Sequence, residues 1–180
     1  YSTQERLLLE TLLLAGTVPD AVLYIDGLND FLRYDGRPFI TPSLHAYLAA
    51  DLPYPNLPPV GTAAEQMAVA AAVLTRYENN LNMIRALADR FGFKTAFVGQ
   101  PVPHFHYPRN PELFPFGGDE SEDPVVRMGY PEFERRGRAG AYGHDFIWLG
   151  DVFESATEPM YLDQAHYTAK ASQILAEKIV

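Results

Sequence analysis

The sequence predicts an α/β domain in which helices cover a mainly parallel sheet. Short, nearly continuous apolar runs at 21–26 and 94–99 are typical of strands that are buried on both faces of such a sheet. Segments with helical periodicity separate these runs, so that strands and helices alternate along the chain. The 180 residues are 47% hydrophobic, which is enough for one substantial core, and we expect a single domain over residues 1–180.

The N-terminal third of the chain is predicted to hold one helix and one strand. Ser2 and Glu5 form a capping-box pattern at the start of an apolar helix that Gly16 ends. Residues 21–26 form the first strand, and Gly27 opens a polar turn. Residues 36–60 contain six prolines and are expected to be irregular, with one short helix near 44–50.

The remaining elements follow from periodicity and from glycine and proline positions. The longest helix is predicted over 62–91, and its apolar stripe favours packing on the sheet over a coiled-coil seam. The second strand is 94–99. Residues 101 to about 145 are predicted to be a long loop, either a lid or binding element or a solvated excursion. A third strand at 146–149 and a closing helix at 168–180 complete the order.

Composition narrows the classes of partner. Fourteen Lys and Arg against 23 Asp and Glu give a formal net charge of -9, which opposes contact with nucleic-acid phosphates and anionic lipids. The chain has no cysteine, so disulfides, thiolate zinc sites and cysteine nucleophiles are excluded. No apolar stretch is long enough to span a bilayer. Composition leaves the compartment open.

Polar residues follow the carboxyl ends of the predicted strands, where open parallel sheets bind ligands. The side-chain amide of Asn29 can donate to an oxyanion, although such residues also commonly cap turns. Asp163 stands three residues before His166, a spacing that lets the carboxylate bond the ring, fix its tautomer and stabilise the imidazolium. We expect these side chains and those of Gln100 and His104 to converge on one cleft.

Two histidines near the second strand have a further interpretation. His104 and His106 stand two residues apart on a strand-like segment, a spacing that can bind a metal with carboxylate partners. They can also line an acyl or sugar pocket. No further metal-ligand spacing accompanies them, so we predict no metal site there.

Two segments resemble conserved blocks of the SGNH, or GDSL-type, hydrolase family. Residues 24–30, Tyr-Ile-Asp-Gly-Leu-Asn-Asp, are similar to the Gly-x-Asn-Asp block, and residues 163–166, Asp-Gln-Ala-His, are similar to the Asp-x-x-His block. The likeness follows the whole chain in element order. It implies a three-layer α/β/α sandwich of the flavodoxin-like type and a Ser-His-Asp mechanism on carboxylic esters. By this resemblance His166 is the general base, Asp163 its orienting partner and Asn29 an oxyanion donor.

The chain departs from the family in lacking the Gly-Asp-Ser block that carries the nucleophile and the second block with its oxyanion glycine. None of the five serines has the Gly-Asp-Ser context: Ser2, Ser43, Ser121, Ser155 and Ser172. We therefore expect the C-terminal portion of a longer SGNH-type protein, with the first strand or strands and the nucleophile upstream of Tyr1. Residues 1–180 alone are expected to be inactive.

From their place after the strands we also expect Gly27, Asp30, Gln100 and His104 to bind substrate, a small-molecule or glycan ester. No metal or organic cofactor is implied. Three alternatives stay open. The same scaffold can transfer or remove acyl groups on sugars, or the chain can be a non-catalytic binding domain. The third alternative is a metal-dependent hydrolase that uses Asp26, Asp30, His104 and His166.

Overall fold

The computed structural model describes residues 1–36, 60–115 and 123–180. Within these ranges the elements are, in chain order, α1 (Ser2–Leu14), β1 (Ala21–Asp26), α2 (Leu28–Leu32), α3 (Ala63–Phe91), β2 (Lys94–Gly99), α4 (Pro124–Arg138), β3 (Phe146–Trp148) and α5 (Ala169–Ile179). The strands form a parallel sheet in the order β1-β2-β3. The α/β class and the mainly parallel sheet are therefore confirmed. The short helix predicted near 44–50 lies outside the described residues.

The predicted capping box at the start of α1 is wrong. Tyr1 is the N-cap, and it makes no side-chain cap hydrogen bond. Ser2 lies inside the helix, and its hydroxyl donates to Asp30 Oδ1 at 2.5 Å. The C-terminal stop is confirmed, because Gly16 adopts φ +81° and the amides of Gly16 and Thr17 donate to carbonyls of the last turn.

The longest helix, α3, begins and ends close to its predicted bounds. The Thr62 hydroxyl accepts from the Glu65 amide while the Glu65 carboxylate accepts from the Thr62 amide, a complete capping box. Gly92 ends the helix with φ +83°. The apolar stripe packs against α1, α4 and β2, which confirms core packing, while its end residues Met67 and Phe91 are exposed.

Helix α4 lies where a long loop was predicted, and that prediction is wrong for residues 124–138. Asp123 caps the helix, with its carboxylate accepting from the Val125 amide at 2.8 Å, and Pro124 takes the first helical position. The interior Pro131 and two glycines hide the helical pattern in the sequence. The basic run near residue 136 forms the last turn, where it complements the helix dipole.

The two faces of the sheet are covered unequally. Alternate strand residues point to opposite faces. Tyr24 and Phe97 pack with α1, α3 and α4, whereas Val98 packs with Ala171 and Leu175 of α5. On this second face the β1 side chains Leu23 and Ile25 are 49% and 41% exposed. Burial of β1 on both faces, which the sequence predicted, is therefore wrong among the described residues.

No helix in the described ranges combines the length and apolar character needed to cross a membrane.

Candidate active site

The Asp163–His166 pair occupies the tip of a short loop whose two arms are joined. Tyr161 and Tyr167 form an isolated antiparallel bridge, and the Leu162 amide donates to the His166 carbonyl at 2.7 Å. Tyr161 is buried in the cluster beneath α5. The loop is thus fixed at its base by apolar packing and backbone hydrogen bonds, immediately before α5 begins.

Asp163 uses both carboxylate oxygens within this loop. Its Oδ1 accepts from the amides of Ala165 and His166, each at 2.8 Å, and its Oδ2 lies 2.7 Å from His166 Nδ1. The His166 and Ala165 amides, followed by the ring, lower the pKa of Asp163 to about 2. The carboxylate is therefore ionised at neutral pH and favours a proton on Nδ1, which leaves Nε2 of a neutral ring as the base.

The basic nitrogen of His166 is open to solvent. The His166 side chain is 78% exposed, and its Nε2 has no hydrogen-bond partner within residues 1–36, 60–115 and 123–180. Ser2 is buried against Asp30, and neither Ser155 nor Ser172 bonds the ring. Ser43 and Ser121 lie outside the described residues. No described serine is therefore held as a nucleophile by this histidine.

Gly27 follows β1 at a position that only glycine fits. Its φ of +150° is rare for residues with side chains. A Cβ there would lie 2.6 Å from Tyr130 Oη and 3.3 Å from Gln100 Cγ. The turn after β1 thus packs directly against the end of β2 and the middle of α4.

A chain of hydrogen bonds links the two residues packed against this turn, Tyr130 and Gln100, to the segment that carries the histidine. Tyr130 Oη donates to the Gln100 carbonyl at 3.3 Å, and Gln100 Nε2 donates to Tyr167 Oη at 3.4 Å. Tyr167 Oη in turn donates to the Pro101 carbonyl at 2.7 Å. The polar segments after β1 and after β2 and the loop before α5 therefore meet at the carboxyl edge of the sheet.

Sequence reasoning missed the two tyrosines that join these segments. Tyr130 belongs to the helix that was predicted as a loop, so no strand or helix signal placed it near Gly27. Tyr167 directly follows His166, and its position beside a candidate catalytic residue was an available signal.

Asn29 lies on α2 with an exposed side chain. Its backbone carbonyl accepts from the Arg33 amide at 2.9 Å, while its side-chain amide makes no hydrogen bond to any described residue. No hydrogen bond joins Asn29 to His166 in the described structure. No described residue uses the amide, which lies on the segment that follows β1, and its role as a donor to a ligand stays a prediction.

Asp30 points into the protein. Its carboxylate accepts from the Ser2 amide at 3.1 Å and from the Ser2 hydroxyl, and that hydroxyl also accepts from Asn80 Nδ2 at 2.9 Å. Both carboxylate oxygens of Asp30 therefore have hydrogen-bond partners within the protein, with no need for a substrate. Nearby Asp26 is also buried, and its Oδ2 has no partner among the described residues. Burial, then the charges of Asp30 and Glu5, raise the pKa of Asp26.

The two histidines after β2 have different surroundings. The His104 ring meets the Phe114 ring edge-on, with centroids 5.7 Å apart. His106 adopts φ +48°, and its Nε2 and Nδ1 lie 3.1 and 3.2 Å from carboxylate oxygens of Glu134 and Glu154. No group of three or more His, Asp or Glu side chains in the described ranges has the arrangement of a metal site. The four residues of the metal-dependent alternative are thus not gathered.

No family model matches this chain, and a search of the curated proteins finds no significant match to it. The case for an activity therefore depends on the two motifs and on the geometry around them.

Proposed function

We propose that this chain provides the general base and an oxyanion donor of an SGNH-type hydrolase that cleaves carboxylic esters. The observation that carries the proposal is the 2.7 Å contact between Asp163 Oδ2 and His166 Nδ1, with no described residue bonded to the opposite ring nitrogen. The parallel sheet supports it, because Gly27 and Asn29 follow β1 while the pair precedes α5. In this proposal the complete fold is a three-layer α/β/α sandwich.

The proposed reaction is acyl transfer through a serine that lies outside these 180 residues. The serine hydroxyl gives its proton to His166 Nε2 as its oxygen attacks the ester carbonyl. Asp163 stabilises the imidazolium, and Asn29 donates to the oxyanion. The imidazolium then protonates the departing alkoxide, which leaves an acyl-serine. Water then gives a proton to Nε2 as its oxygen attacks the acyl group, and the imidazolium returns that proton to the serine oxygen as the acid leaves, which restores the serine and the neutral histidine.

The solvent exposure of the Asp163–His166 pair is consistent with a nucleophile that another segment brings to the ring. Asp163 is 51% and His166 78% exposed, so the described residues leave Nε2 open to the approach of a hydroxyl. A charge pair in water contributes little, whereas the same pair under a covering segment acts in a lower dielectric. A segment that brings the serine would therefore also strengthen the carboxylate's effect on the ring.

The test is hydrolysis of p-nitrophenyl acetate by the longest natural polypeptide that contains these residues. We expect His166→Ala to lower kcat/KM about 10^3-fold or more, because it removes the base. Asn29→Ala should lower kcat about 10^2-fold, as loss of one oxyanion donor does elsewhere. Residues 1–180 alone should show no turnover above the buffer.

Two matched variants control for surface effects. His144→Ala and Asn79→Ala change exposed residues of the same types away from the three meeting segments, and both should retain full activity. Equal activity of the His166→Ala and His144→Ala proteins would remove His166 from catalysis. Turnover by residues 1–180 alone would refute the external serine.

A further inference from the structure

A cavity of about 210 Å³ lies between the segment after β2 and the first turns of α4. Val126 and Tyr130 line it and are buried, so they form its inner wall. Arg109 and Arg127 line it and are exposed, so they lie at its rim. The cavity is therefore apolar inside and positively charged at its entrance.

The positive rim stands out in a chain of net charge -9. Among the residues that the structure describes, no carboxylate lines the cavity, whereas Arg109, Arg127 and His104 do. The Arg127 side chain forms no ion pair or hydrogen bond with any residue of the described ranges. The other α4 arginines, in contrast, are paired: Arg135 and Arg136 bond Glu132, and Arg138 bonds Glu134. Among the described residues, Arg127 is thus the α4 arginine whose guanidinium has no carboxylate partner.

The inner wall favours a flat apolar group. The rings of Phe105 and Tyr130 lie 5.6 Å apart, centroid to centroid, and both line the cavity. The hydroxyl of Tyr130 donates to the Gln100 carbonyl and its side chain is fully buried, so Tyr130 closes the floor of the cavity while the half-buried Phe105 offers its ring. A cavity of about 150 Å³ holds benzene, and drug-sized ligands need roughly 300 Å³ or more. A volume of 210 Å³ lies between these limits and suits one ring with one small substituent.

We propose that this cavity binds a small aromatic carboxylate, with its ring against Phe105 over the floor formed by Val126 and Tyr130 and its carboxylate on Arg127. A guanidinium presents parallel N–H donors that match the two oxygens of a carboxylate. Binding needs neither Asp163 nor His166, so this inference goes beyond the proposed hydrolysis and does not rest on it.

The experiment titrates the ¹⁵N-labelled chain with benzoate at millimolar concentration and follows amide shifts. We expect saturable shifts confined to the cavity, at residues 104–105 and 126–130. Benzamide keeps the ring but lacks the charge, and acetate keeps the charge but lacks the ring. Each should bind at least about tenfold more weakly, since loss of a charge-assisted hydrogen bond or of ring burial costs more than 1.4 kcal/mol.

Variants separate this site from general charge and from the catalytic proposal. Arg127→Gln should weaken benzoate binding about tenfold, because it removes the guanidinium. Arg90→Gln makes the same charge change at an exposed position outside the cavity and should leave the affinity unchanged. His166→Ala should also leave it unchanged, so a failure of the hydrolase proposal would not affect this result.

Three results would overturn the proposal. Benzoate shifts that do not saturate would show that no site exists. Equal loss of affinity in Arg127→Gln and Arg90→Gln would show general charge attraction. Equal binding of benzamide and benzoate would show an apolar cavity without anion recognition. Circular dichroism melts of each variant confirm that the compared proteins are folded.

Discussion

Asp163 supports His166 in two separable ways. Oδ1 fixes the turn by accepting two backbone amides, whereas Oδ2 faces the ring at 2.7 Å. Asp163→Asn can keep the first role because an amide oxygen also accepts. Its NH2 group cannot accept from a ring N–H, so the second role is lost.

We predict that Asp163→Asn changes the tautomer of His166 from a proton on Nδ1 to a proton on Nε2. Long-range ¹H–¹⁵N spectra of the ring in residues 1–180 measure this directly. In the complete protein the same change should lower kcat about 10^4-fold, as a wrong tautomer does in a serine protease. A ring that keeps its Nδ1 proton in the variant would contradict the assigned role of Asp163.

Asp26 is a buried carboxyl with an unpartnered Oδ2 in the described structure. Burial, then the charges of Asp30 and Glu5, raise its pKa above the unfolded value near 3.8. A raised folded pKa means that its contribution to stability is present below that unfolded value. This contribution is lost as the pH rises through the folded pKa.

We therefore expect Asp26→Asn to raise the melting temperature at pH 7 to 8, by about 2–4 °C for each 1 kcal/mol gained in a chain of this size. The gain should shrink as the pH falls through the raised folded pKa and disappear below the unfolded pKa of 3.8, where Asp26 is protonated in both states. Asp20→Asn changes an exposed aspartate six residues earlier and should show no such gain. A lower melting temperature for Asp26→Asn at pH 8 would refute this account.

At the scale of elements, His106 joins three segments. It belongs to the segment after β2, and it contacts Glu134 on α4 and Glu154 after β3. Glu134 also bonds Arg138, which pairs with Asp151. Burial lowers the pKa of His106, but the hydrogen bonds and charges of Glu134 and then Glu154 outweigh burial and raise it above 6.5.

We predict that this histidine contributes stability that is fully present below pH 6.5 and lost as the pH rises through its raised folded pKa. The difference in melting temperature between the wild type and His106→Gln should therefore be largest at pH 5.5 to 6.5 and shrink towards pH 8.5. His144→Gln provides the control, since His144 is exposed and none of the described carboxylates bonds its ring. A melting-temperature difference that grows with pH would contradict an ion pair between protonated His106 and the carboxylates of Glu134 and Glu154.

The elements differ in how far their sequence determines them. Strands β1 and β2 have their predicted bounds because their apolar runs are short and end in Asp26-Gly27 and Gly99-Gln100. The Thr62 capping box and Gly92 fix α3 by local chemistry. Helix α4 was missed because Pro131 and its glycines outweighed the Asp123-Pro124 start, which is itself a recognisable signal.

At the scale of the whole molecule, the sequence predicts which segments reach the carboxyl edge of the sheet. It does not predict which of their side chains are in contact. The strand order and parallel direction place Gly27 and Gln100 at one edge. The contacts of Tyr130 with Gln100 and of Gln100 with Tyr167 join residues 30 and 67 positions apart. Such long-range contacts depend on tertiary packing, which no local pattern encodes. Likewise, the exposure of the Leu23 and Ile25 side chains depends on which helices cover each face of the sheet. The apolar character of these residues does not reveal it.

The central claim is that Asn29 and His166 act at one edge of the sheet. Because the chain has no cysteine, Asn29→Cys provides a single thiol for a nitroxide label. Thr17→Cys is the matched control, since Thr17 is exposed and lies before the opposite end of β1, a strand of about 20 Å. The measurement is paramagnetic broadening of the amide signals of the Asp163–His166 loop. The account predicts strong broadening from position 29 and none from position 17; equal or reversed broadening would contradict it.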